Sequence, residues 1–303
     1  MARSGLAWSR MRKIFAFALL IGMLVSTQPV LAAPFDFTIP GIDALADVVG
    51  NPQAPDLVIF AAGNQYMAMP DLVAAFQRAH PEVRSVFYET LPPGILARQI
   101  TDGGITFGGL VLTNAPDIYL AGKKRMTQEV QAGIVSAPIS YATNVLAIMV
   151  RKGNPKHITG LVDLGRSDVR VAMPNPAWEG IARQIEASYV KAGGTQLQTT
   201  IMKTKVAAGT TELTRIHHRQ TPAWILSGKA DAGPVWISEA LYQSKATGKI
   251  ATVRIPAKEN AMAIYQAAMV KTAPHAKAGK AFLAFLQSSQ ARAIYAKYGF
   301  GKP

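Results

Sequence analysis

Cysteine is absent from this chain of 303 residues, and its absence excludes several kinds of chemistry. Without a thiol there can be no disulfide, no iron–sulfur cluster, no cysteine zinc site and no thiol nucleophile. Charged residues are also scarce, at 17%, whereas 49% of the residues are hydrophobic, which is typical of a globular chain rather than a disordered one. We therefore expect a folded protein that needs no thiol for its function.

The motifs of the common enzyme classes are missing as well. There is no Gly-x-Ser-x-Gly elbow, no His-Glu-x-x-His helix, and no Gly-x-Gly-x-x-Gly after a strand. Of the five histidines, His80, His157 and His275 lie in predicted loops near prolines, so a histidine base could come only from His217 or His218. We expect no enzymatic activity, no catalytic residue and no cofactor.

His217 and His218 follow one another in a predicted helix, where neighbouring side chains point about 100° apart. Metal ligands on one helix face need i, i+4 spacing, which this pair lacks. The sequence therefore predicts no metal site here, and we expect at least one of the two imidazoles at the protein surface.

The first 33 residues have the pattern of a secretory signal peptide. A basic start (Arg3, Arg10, Arg12 and Lys13) precedes an apolar run over 14–25, and small residues follow at 32–33. The apolar run is shorter than the roughly 20 residues that a membrane-spanning helix needs. We predict that 1–33 is removed and that the mature chain is free in a bacterial periplasm, without membrane insertion; a short uncut anchor is the alternative.

The formal net charge of the chain is strongly positive, at +14. A basic surface can attract nucleic acid, an anionic membrane face or a small anion, or it can serve solubility alone. Export from the cytoplasm and the lack of nucleic-acid-binding motifs argue against nucleic acid. A small anionic ligand, an anionic membrane face and solubility remain open.

From Leu57 onward, short apolar runs alternate with helical patterns. Strands are predicted at 57–61, 83–88, 117–120, 145–150, 169–173 and 232–237, and helices at 70–79, 94–101, 178–191, 212–227 and 276–297. This alternation favours an α/β fold with parallel sheets covered on both faces. The proline-rich stretch 34–55 is interpreted as an N-terminal extension, and the glycine-rich stretch 103–113 as a flexible loop.

In such folds a ligand binds beyond the carboxyl ends of the strands, so we expect function in the segments 63–65, 90–94, 174–180 and 210–221. Short motifs around these segments occur in a fixed order along 56–303: VIFAA at 58–62, LARQI at 96–100, APDIY at 115–119, YATN at 141–144, GLVDL at 160–164 and GKADAG at 228–233. With this order and spacing, the chain resembles the periplasmic solute-binding proteins of ABC transporters, and within them the type II, molybdate-binding-like class.

The resemblance implies a two-lobed periplasmic-binding-protein fold, in which each lobe is a doubly wound, mainly parallel sheet and two crossings form the hinge. Lobe one would comprise 56–142 plus 256–303, and lobe two 143–255, with crossings near 141–150 and 254–270. A monomer is the expected state.

Transferred to this sequence, the ligand site of the family falls on several turns. The first ligand serine corresponds to Asn64, the second falls near Pro93 with Thr90 as the nearest hydroxyl, and the capping tyrosine corresponds to Trp236. The expected ligand-binding residues are Gly63, Asn64, Gln65, Thr90, Trp178, Gly180, His218, Arg219 and Trp236. Asn64 could instead be a helix cap, and Trp236 a core residue.

These residues change the expected ligand. Because the turns carry arginine and histidine where the family has hydroxyls, and because Arg binds carboxylate or phosphate through two parallel bonds, an organic carboxylate or phosphorylated acid is favoured over a molybdate- or tungstate-type oxyanion. The predicted function is to bind this small anion between the lobes and to deliver it, through transient contact, to an ABC transporter permease. A periplasmic sensory or accessory module that passes its ligand to a receptor is the alternative.

Overall fold

The architecture comes from a computed structural model that describes residues 35–37, 46–107, 110–177, 179–215 and 217–303. The predicted signal peptide (1–33) and Trp178 lie outside the described residues. Within them, no helix is both long and apolar enough to cross a lipid bilayer.

Thirteen strands are described, most of them short and separated by helices. They are β1 (Phe35–Phe37), β2 (Val48–Gly50), β3 (Leu57–Ala61), β4 (Val86–Glu89), β5 (Ile105–Phe107), β6 (Leu110–Leu112), β7 (Ile118–Gly122), β8 (Ile139–Arg151), β9 (Val171–Met173), β10 (Thr211–Leu213), β11 (Ala232–Trp236), β12 (Ile250–Arg254) and β13 (Met262–Met269).

The described helices follow most of these strands. They are α1 (Met69–Ala79), α2 (Pro93–Asp102), α3 (Lys123–Gln131), α4 (Gly180–Thr199), α5 (Lys205–Ala207), α6 (Gln220–Leu226), α7 (Ile237–Thr247), α8 (Ala276–Leu286) and α9 (Ser289–Lys297). Short 3₁₀ turns occur at Gly63–Gln65 and Leu161–Gly165, and a π-helical turn occurs at Thr200–Thr204.

Eleven of the described strands form one mixed sheet with the order β1-β2-β4-β3-β7-β13-β8-β11-β9-β10, and β12 pairs with β8 beside this path. Parallel pairing joins β4, β3 and β7 in one half, and β11, β9 and β10 in the other. Antiparallel strands lie on both sides of the first group and beside β11 in the second, where β10 forms the edge of the sheet. Because the parallel strands are covered on both faces, their residues are almost continuously apolar, and all five residues of β3 are buried.

Strand β8 connects the two halves. Its first part pairs with β13 as far as Val145, and from Leu146 onward it pairs with β11 and β12. The return segment is held at the same point, since the Asn260 side chain accepts a hydrogen bond from the Leu146 amide at 2.9 Å and donates one to its carbonyl at 2.9 Å. The chain thus crosses between the halves twice, side by side, close to the crossings predicted from the sequence. The boundaries predicted for the lobes stay a prediction.

Helix ends follow local rules. Pro70 lies in the first turn of α1, where its missing N–H costs no hydrogen bond, and Leu72, Ala75 and Phe76 form the buried face. The long helix α4 is interrupted at Gly193 and at Gly194, whose φ of 70° favours glycine. The predicted helix 178–191 therefore ends close to its predicted limit, at these glycines, although a further helical segment follows.

Three segments differ from the sequence-based expectation. The predicted helix 212–227 is helical only from Gln220, because residues 211–213 pair alongside β9 as strand β10. The predicted flexible loop 103–113 contains the antiparallel pair β5 and β6. The interpreted N-terminal extension supplies β2, which pairs with β4, so part of 34–55 belongs to the sheet.

Candidate functional site

A cavity of about 720 Å³ lies where the carboxyl ends of the parallel strands meet the starts of several helices. Its walls are largely turns. They comprise Ala62, Gly63 and Asn64 after β3, Pro92, Pro93 and Gly94 at α2, Gly122 before α3, Glu179, Gly180 and Ile181 at α4, His217 and His218, and Trp236 at the end of β11. Residues Met262, Ala263, Ile264 and Tyr265 of β13 complete the wall. We call this space the main cavity.

Three helices, α2, α3 and α4, begin at the main cavity, and none of them has a side-chain cap. The first N–H groups of a helix have no intrahelical acceptor, and the helix dipole adds partial positive charge at this end. Helix starts of this kind bind anions. The backbone of the main cavity is therefore suited to a negatively charged ligand.

Side chains add to this positive potential. Lys123, Lys124, Arg125 and Arg183 line the main cavity, and Glu179 is the single carboxylate among its described lining residues. Arg125 and Arg183 lie in the first turns of α3 and α4. Their charges therefore lie close to the helix starts that an anion would contact.

The carboxylate of Glu179 is fully engaged by protein groups. Its Oε2 accepts hydrogen bonds from the His218 backbone N–H and from Nδ1 of the same residue, each at 2.6 Å. Its Oε1 accepts hydrogen bonds from the Asn175 amide at 3.2 Å and from the Thr214 hydroxyl. Because these groups neutralise the carboxylate, Glu179 can lie beside an anion site without repelling the ligand strongly.

His218 lies between two acids, with Nε2 at 2.9 Å from the Glu239 carboxylate on the side opposite Glu179. Burial alone would lower the pKa of His218, but the charge of Glu239 and the hydrogen bond to Glu179 outweigh it and raise the pKa to about 10. His218 is therefore an imidazolium at neutral pH, and it contributes positive charge to the wall of the main cavity.

The pKa of His217 is shifted in the opposite direction to that of His218. Its ring lies 4.0 Å from that of His218, and its Nδ1 accepts a hydrogen bond from the Arg219 backbone N–H at 3.1 Å. Burial, and then the charges of His218 and Arg219, lower the pKa of His217 well below its usual value. The neutral ring packs against Gly63, where an added Cβ would lie 2.3 Å from Nε2.

Glu179, His217 and His218 bring three potential metal ligands within 4.8 Å of one another. The donor set nevertheless does not fit a metal, because Nδ1 of His217 already accepts a hydrogen bond and His218 is protonated between two carboxylates. Both imidazoles line the main cavity, which differs from the expectation that one would lie at the surface. The reason is that they belong to a turn before α6 and not to a helix.

The side chain of Asn64 is held by strand β13. Its side-chain amide donates a 2.6 Å hydrogen bond to the hydroxyl of Tyr265, whose ring contacts Trp236 edge to face at 6.1 Å. Trp236 is 5% exposed and lines the main cavity, so it is both a core residue and a wall residue. The cavity wall thus joins both halves of the sheet through Asn64 and Trp236.

The predicted ligand-binding residues divide into three groups. Gly63, Asn64, Gly180, His218 and Trp236 line the main cavity. Gln65, Thr90 and Arg219 are buried outside it. Trp178 lies outside the described residues.

Two of the buried residues have clear reasons for their position. The Thr90 hydroxyl donates a 3.4 Å hydrogen bond to the Asp47 carbonyl, and the Arg219 guanidinium is paired with the Asp47 carboxylate and lies 4.7 Å from the centre of the Tyr66 ring. The sequence reasoning missed Arg125 and Arg183. Arg125 closely follows the predicted strand 117–120, so the rule that placed Asn64 could have identified it, whereas Arg183 lies within the predicted helix 178–191, beyond the turn to which that rule applies.

Comparisons with known proteins agree with this geometry. Residues 57–301 match the family described as bacterial extracellular solute-binding protein. The molybdate-binding protein ModA of Mycobacterium tuberculosis (strain ATCC 25618 / H37Rv) is 28% identical over 257 residues, which are 82% of this chain and 86% of that protein.

Two solved structures share the fold. The periplasmic molybdate-binding protein of Azotobacter vinelandii superposes with a TM-score of 0.64 at 18% identity, over 82% of this chain and 99% of that one. PEB3 of Campylobacter jejuni, in a structure with bound L-phospholactate, superposes with a TM-score of 0.62 at 17% identity, over 82% of this chain and 100% of that one. The predicted two-lobed, type II α/β fold is confirmed.

Proposed function

The chain belongs to the bacterial extracellular solute-binding proteins, and we propose that it captures a small anion in the periplasm for an ABC importer. The observation that carries this proposal is the convergence on one cavity of three uncapped helix starts and four basic side chains. Each helix start stabilises a nearby anion by about 0.3–1 kcal/mol, and charge-assisted hydrogen bonds add more. The names of the relatives, which refer to molybdate and phospholactate, support an anionic ligand.

Within this function we propose an organic carboxylate or a phosphorylated acid in preference to molybdate or tungstate. Pockets for drug-sized ligands measure about 300–1,000 Å³, and the main cavity, at about 720 Å³, lies in this range. Trp236, Met262 and Ile264 give it an apolar wall that an organic body would cover. Arg125 and Arg183 supply planar guanidinium groups, which match carboxylate and phosphate oxygens.

Binding would couple to closure of the two halves of the sheet. Gly63 and Asn64 follow β3 in one half, and Gly180 and His218 belong to the other half, so a ligand in the main cavity would touch both. The two adjacent crossings, one at β8 and the return near Asn260, provide the hinge. The closed, liganded monomer would then contact the permease transiently and release the anion there.

Isothermal titration calorimetry of the mature chain tests both the proposed anion binding and the proposed preference for an organic anion. The panel comprises molybdate, sulfate, phosphate, succinate and phosphoglycolate, in low-salt buffer. We expect at least one organic anion to bind about tenfold more tightly than molybdate, a difference of roughly 1.4 kcal/mol. Tighter binding of molybdate would overturn the organic preference, and an absence of binding to every anion would overturn the proposed function.

Variants of the lining residues then test whether the ligand binds in the main cavity. Arg125→Gln and Arg183→Gln should each weaken binding of the preferred anion by roughly 1.5–3 kcal/mol, because each loses a charge-assisted bond. Arg78→Gln, on α1 and away from the main cavity, removes the same charge and should leave the affinity nearly unchanged. Equal effects of all three variants would show that the net charge, not the cavity, attracts the anion.

A further inference from the structure

A second cavity, of about 570 Å³, opens beside the main cavity. The two share Pro92, Gly94, Arg125, Gly180 and Arg183, together with Glu179, so they are neighbouring chambers with a common wall. The second cavity continues past this wall to Arg98 on α2 and to Arg215 in the turn after β10. We call it the arginine cavity.

Four guanidinium groups line the arginine cavity, those of Arg98, Arg125, Arg183 and Arg215, against the single carboxylate of Glu179. That carboxylate is already bound by His218, Thr214 and the Asn175 amide. The cavity therefore carries an excess of positive charge that its own walls do not balance.

The arginines are only weakly engaged elsewhere. The guanidinium groups of Arg98 and Arg183 make no hydrogen bond or ion pair within the described part of the chain. Arg215 is 3.6 Å from Glu212, but its side chain is 75% exposed, and Arg125 is 3.5 Å from Glu129 within α3. The exposed Arg215–Glu212 pair contributes little and leaves that guanidinium free to bind a further anion, whereas Arg125 is partly engaged by the buried Glu129.

Arg125 lines both the main cavity and the arginine cavity. Its guanidinium lies against Gly94, within 3.5 Å of the position that a Cβ would occupy there, at the start of α2. Arg183 lines both cavities from the first turn of α4. An anion at the helix starts of the main cavity would therefore lie in the chamber next to a second group of cations, Arg98 and Arg215, which line only the arginine cavity.

We propose that the ligand is an organic anion with two separate anionic groups, one bound at the helix starts of the main cavity and the other by Arg98 and Arg215 in the arginine cavity. This inference rests on the proposed function and specifies its substrate class. Groups of cations in two adjoining cavities favour a two-headed ligand over a single oxyanion, because the second group binds at the high effective concentration set by the spacer.

The test compares a two-headed probe with its halves. Phosphonoacetate, 3-phosphonopropionate and 4-phosphonobutyrate carry a carboxylate and a phosphonate on spacers of increasing length, whereas ethylphosphonate and propionate each carry one of the two groups. Titration calorimetry at low salt should show that at least one two-headed probe binds about tenfold or more tightly than ethylphosphonate.

The double variant Arg98→Gln/Arg215→Gln should remove this advantage and leave ethylphosphonate within about twofold of its original affinity. Both side chains are exposed, so folding is preserved, and circular dichroism verifies it. Arg78→Gln/Arg292→Gln, two exposed arginines outside both cavities, is the matched control for the loss of two charges.

Each outcome is decisive. If ethylphosphonate binds as tightly as every two-headed probe, or if the Arg98/Arg215 variant retains the advantage, the two-site inference is wrong while anion binding stands. If the control variant loses the advantage equally, long-range charge and not the arginine cavity is responsible, and the inference is again wrong. If neither single- nor two-headed anions bind the unmodified protein, the proposed function fails and the inference fails with it.

Discussion

The guanidinium of Arg219 is paired with the carboxylate of Asp47, although the two residues are 172 positions apart and both side chains are 2% exposed. Asp47 immediately precedes β2, and Arg219 belongs to the turn that carries His217 and His218. The same turn is fixed by the bond from the Arg219 amide to His217. The ion pair therefore holds one wall of the main cavity against the start of β2.

Asp47→Ala should destabilise the protein by roughly 3–5 kcal/mol, because the loss of one partner leaves a buried charge poorly compensated. Urea denaturation at pH 7 measures the change. The double variant Asp47→Ala/Arg219→Met should recover much of the loss, since it removes both charges together. Asp168→Ala, in an exposed pair with Arg166, should have a much smaller effect. Equal losses for the buried and exposed pairs would contradict the assigned role.

Gly63→Ala should disturb the same wall from the other side. The added Cβ would lie 2.3 Å from Nε2 of His217, so the buried ring must move, which we expect to cost roughly 1–3 kcal/mol of stability and to weaken anion binding. Gly160→Ala, where nothing lies within 4 Å of the new Cβ, controls for the substitution itself. Unfolding and titration experiments on both variants measure the difference; an unchanged affinity in Gly63→Ala would remove the His217 ring from the ligand site.

The sequence could predict most of the fold because its central strands are unambiguous. Strand β3 occupies the predicted residues 57–61, and β11 ends one residue before the predicted limit, since both are short apolar runs buried on two faces. Strand β10 could not be predicted in the same way. Its three residues become a strand only through pairing with β9, a contact that local patterns do not encode.

In the candidate site, the positions of the turns could be predicted from the sequence, but the partners of the side chains could not. The turns after strands, such as Gly63–Gln65, follow from the position of the strand ends in an α/β sheet, so their proximity to the cavity was predictable. The direction in which a side chain points from such a turn was not predictable. The role of Arg219 in ligand binding stays a prediction, and its guanidinium is paired with Asp47, from a segment interpreted as an extension. No local pattern relates residues so far apart.

His218 should make stability depend on pH in the alkaline range. Its pKa is raised to about 10 in the folded state, above the usual value of 6.5, so its contribution is complete below about pH 6.5 and is lost as the pH rises through 10. The free energy of unfolding should fall by up to about 1.4 kcal/mol per pH unit between pH 7 and 10. Urea denaturation at each pH measures the slope.

Glu239→Gln should flatten this slope, because it removes the carboxylate that lies 2.9 Å from Nε2 of His218. Glu82→Gln removes the partner of the exposed His80 and should leave the slope unchanged. A profile for Glu239→Gln that matches that of the parent protein would show that His218 does not depend on Glu239 for its charge.

Glu89 should produce a dependence on pH in the acidic to neutral range. Its side chain is buried in β4, with Oε1 accepting a 2.8 Å hydrogen bond from the Gln99 amide, and burial raises its pKa from 4.5 to about 7. Since the folded state holds the proton to a higher pH than the unfolded state does, the favourable contribution is complete below about pH 4.5 and is lost as the pH rises through 7.

Glu89→Gln should therefore be more stable than the parent protein at pH 8, by roughly 3 kcal/mol at most, and should differ little from it at pH 4, where both side chains are neutral. Denaturant titrations at the two pH values measure this difference, and Asp102→Asn, an exposed carboxylate on the same helix as Gln99, should show no such gain. A loss of stability at pH 8 would contradict the raised pKa of Glu89, because it would mean that the ionised carboxylate stabilises the folded state and is not costly to bury.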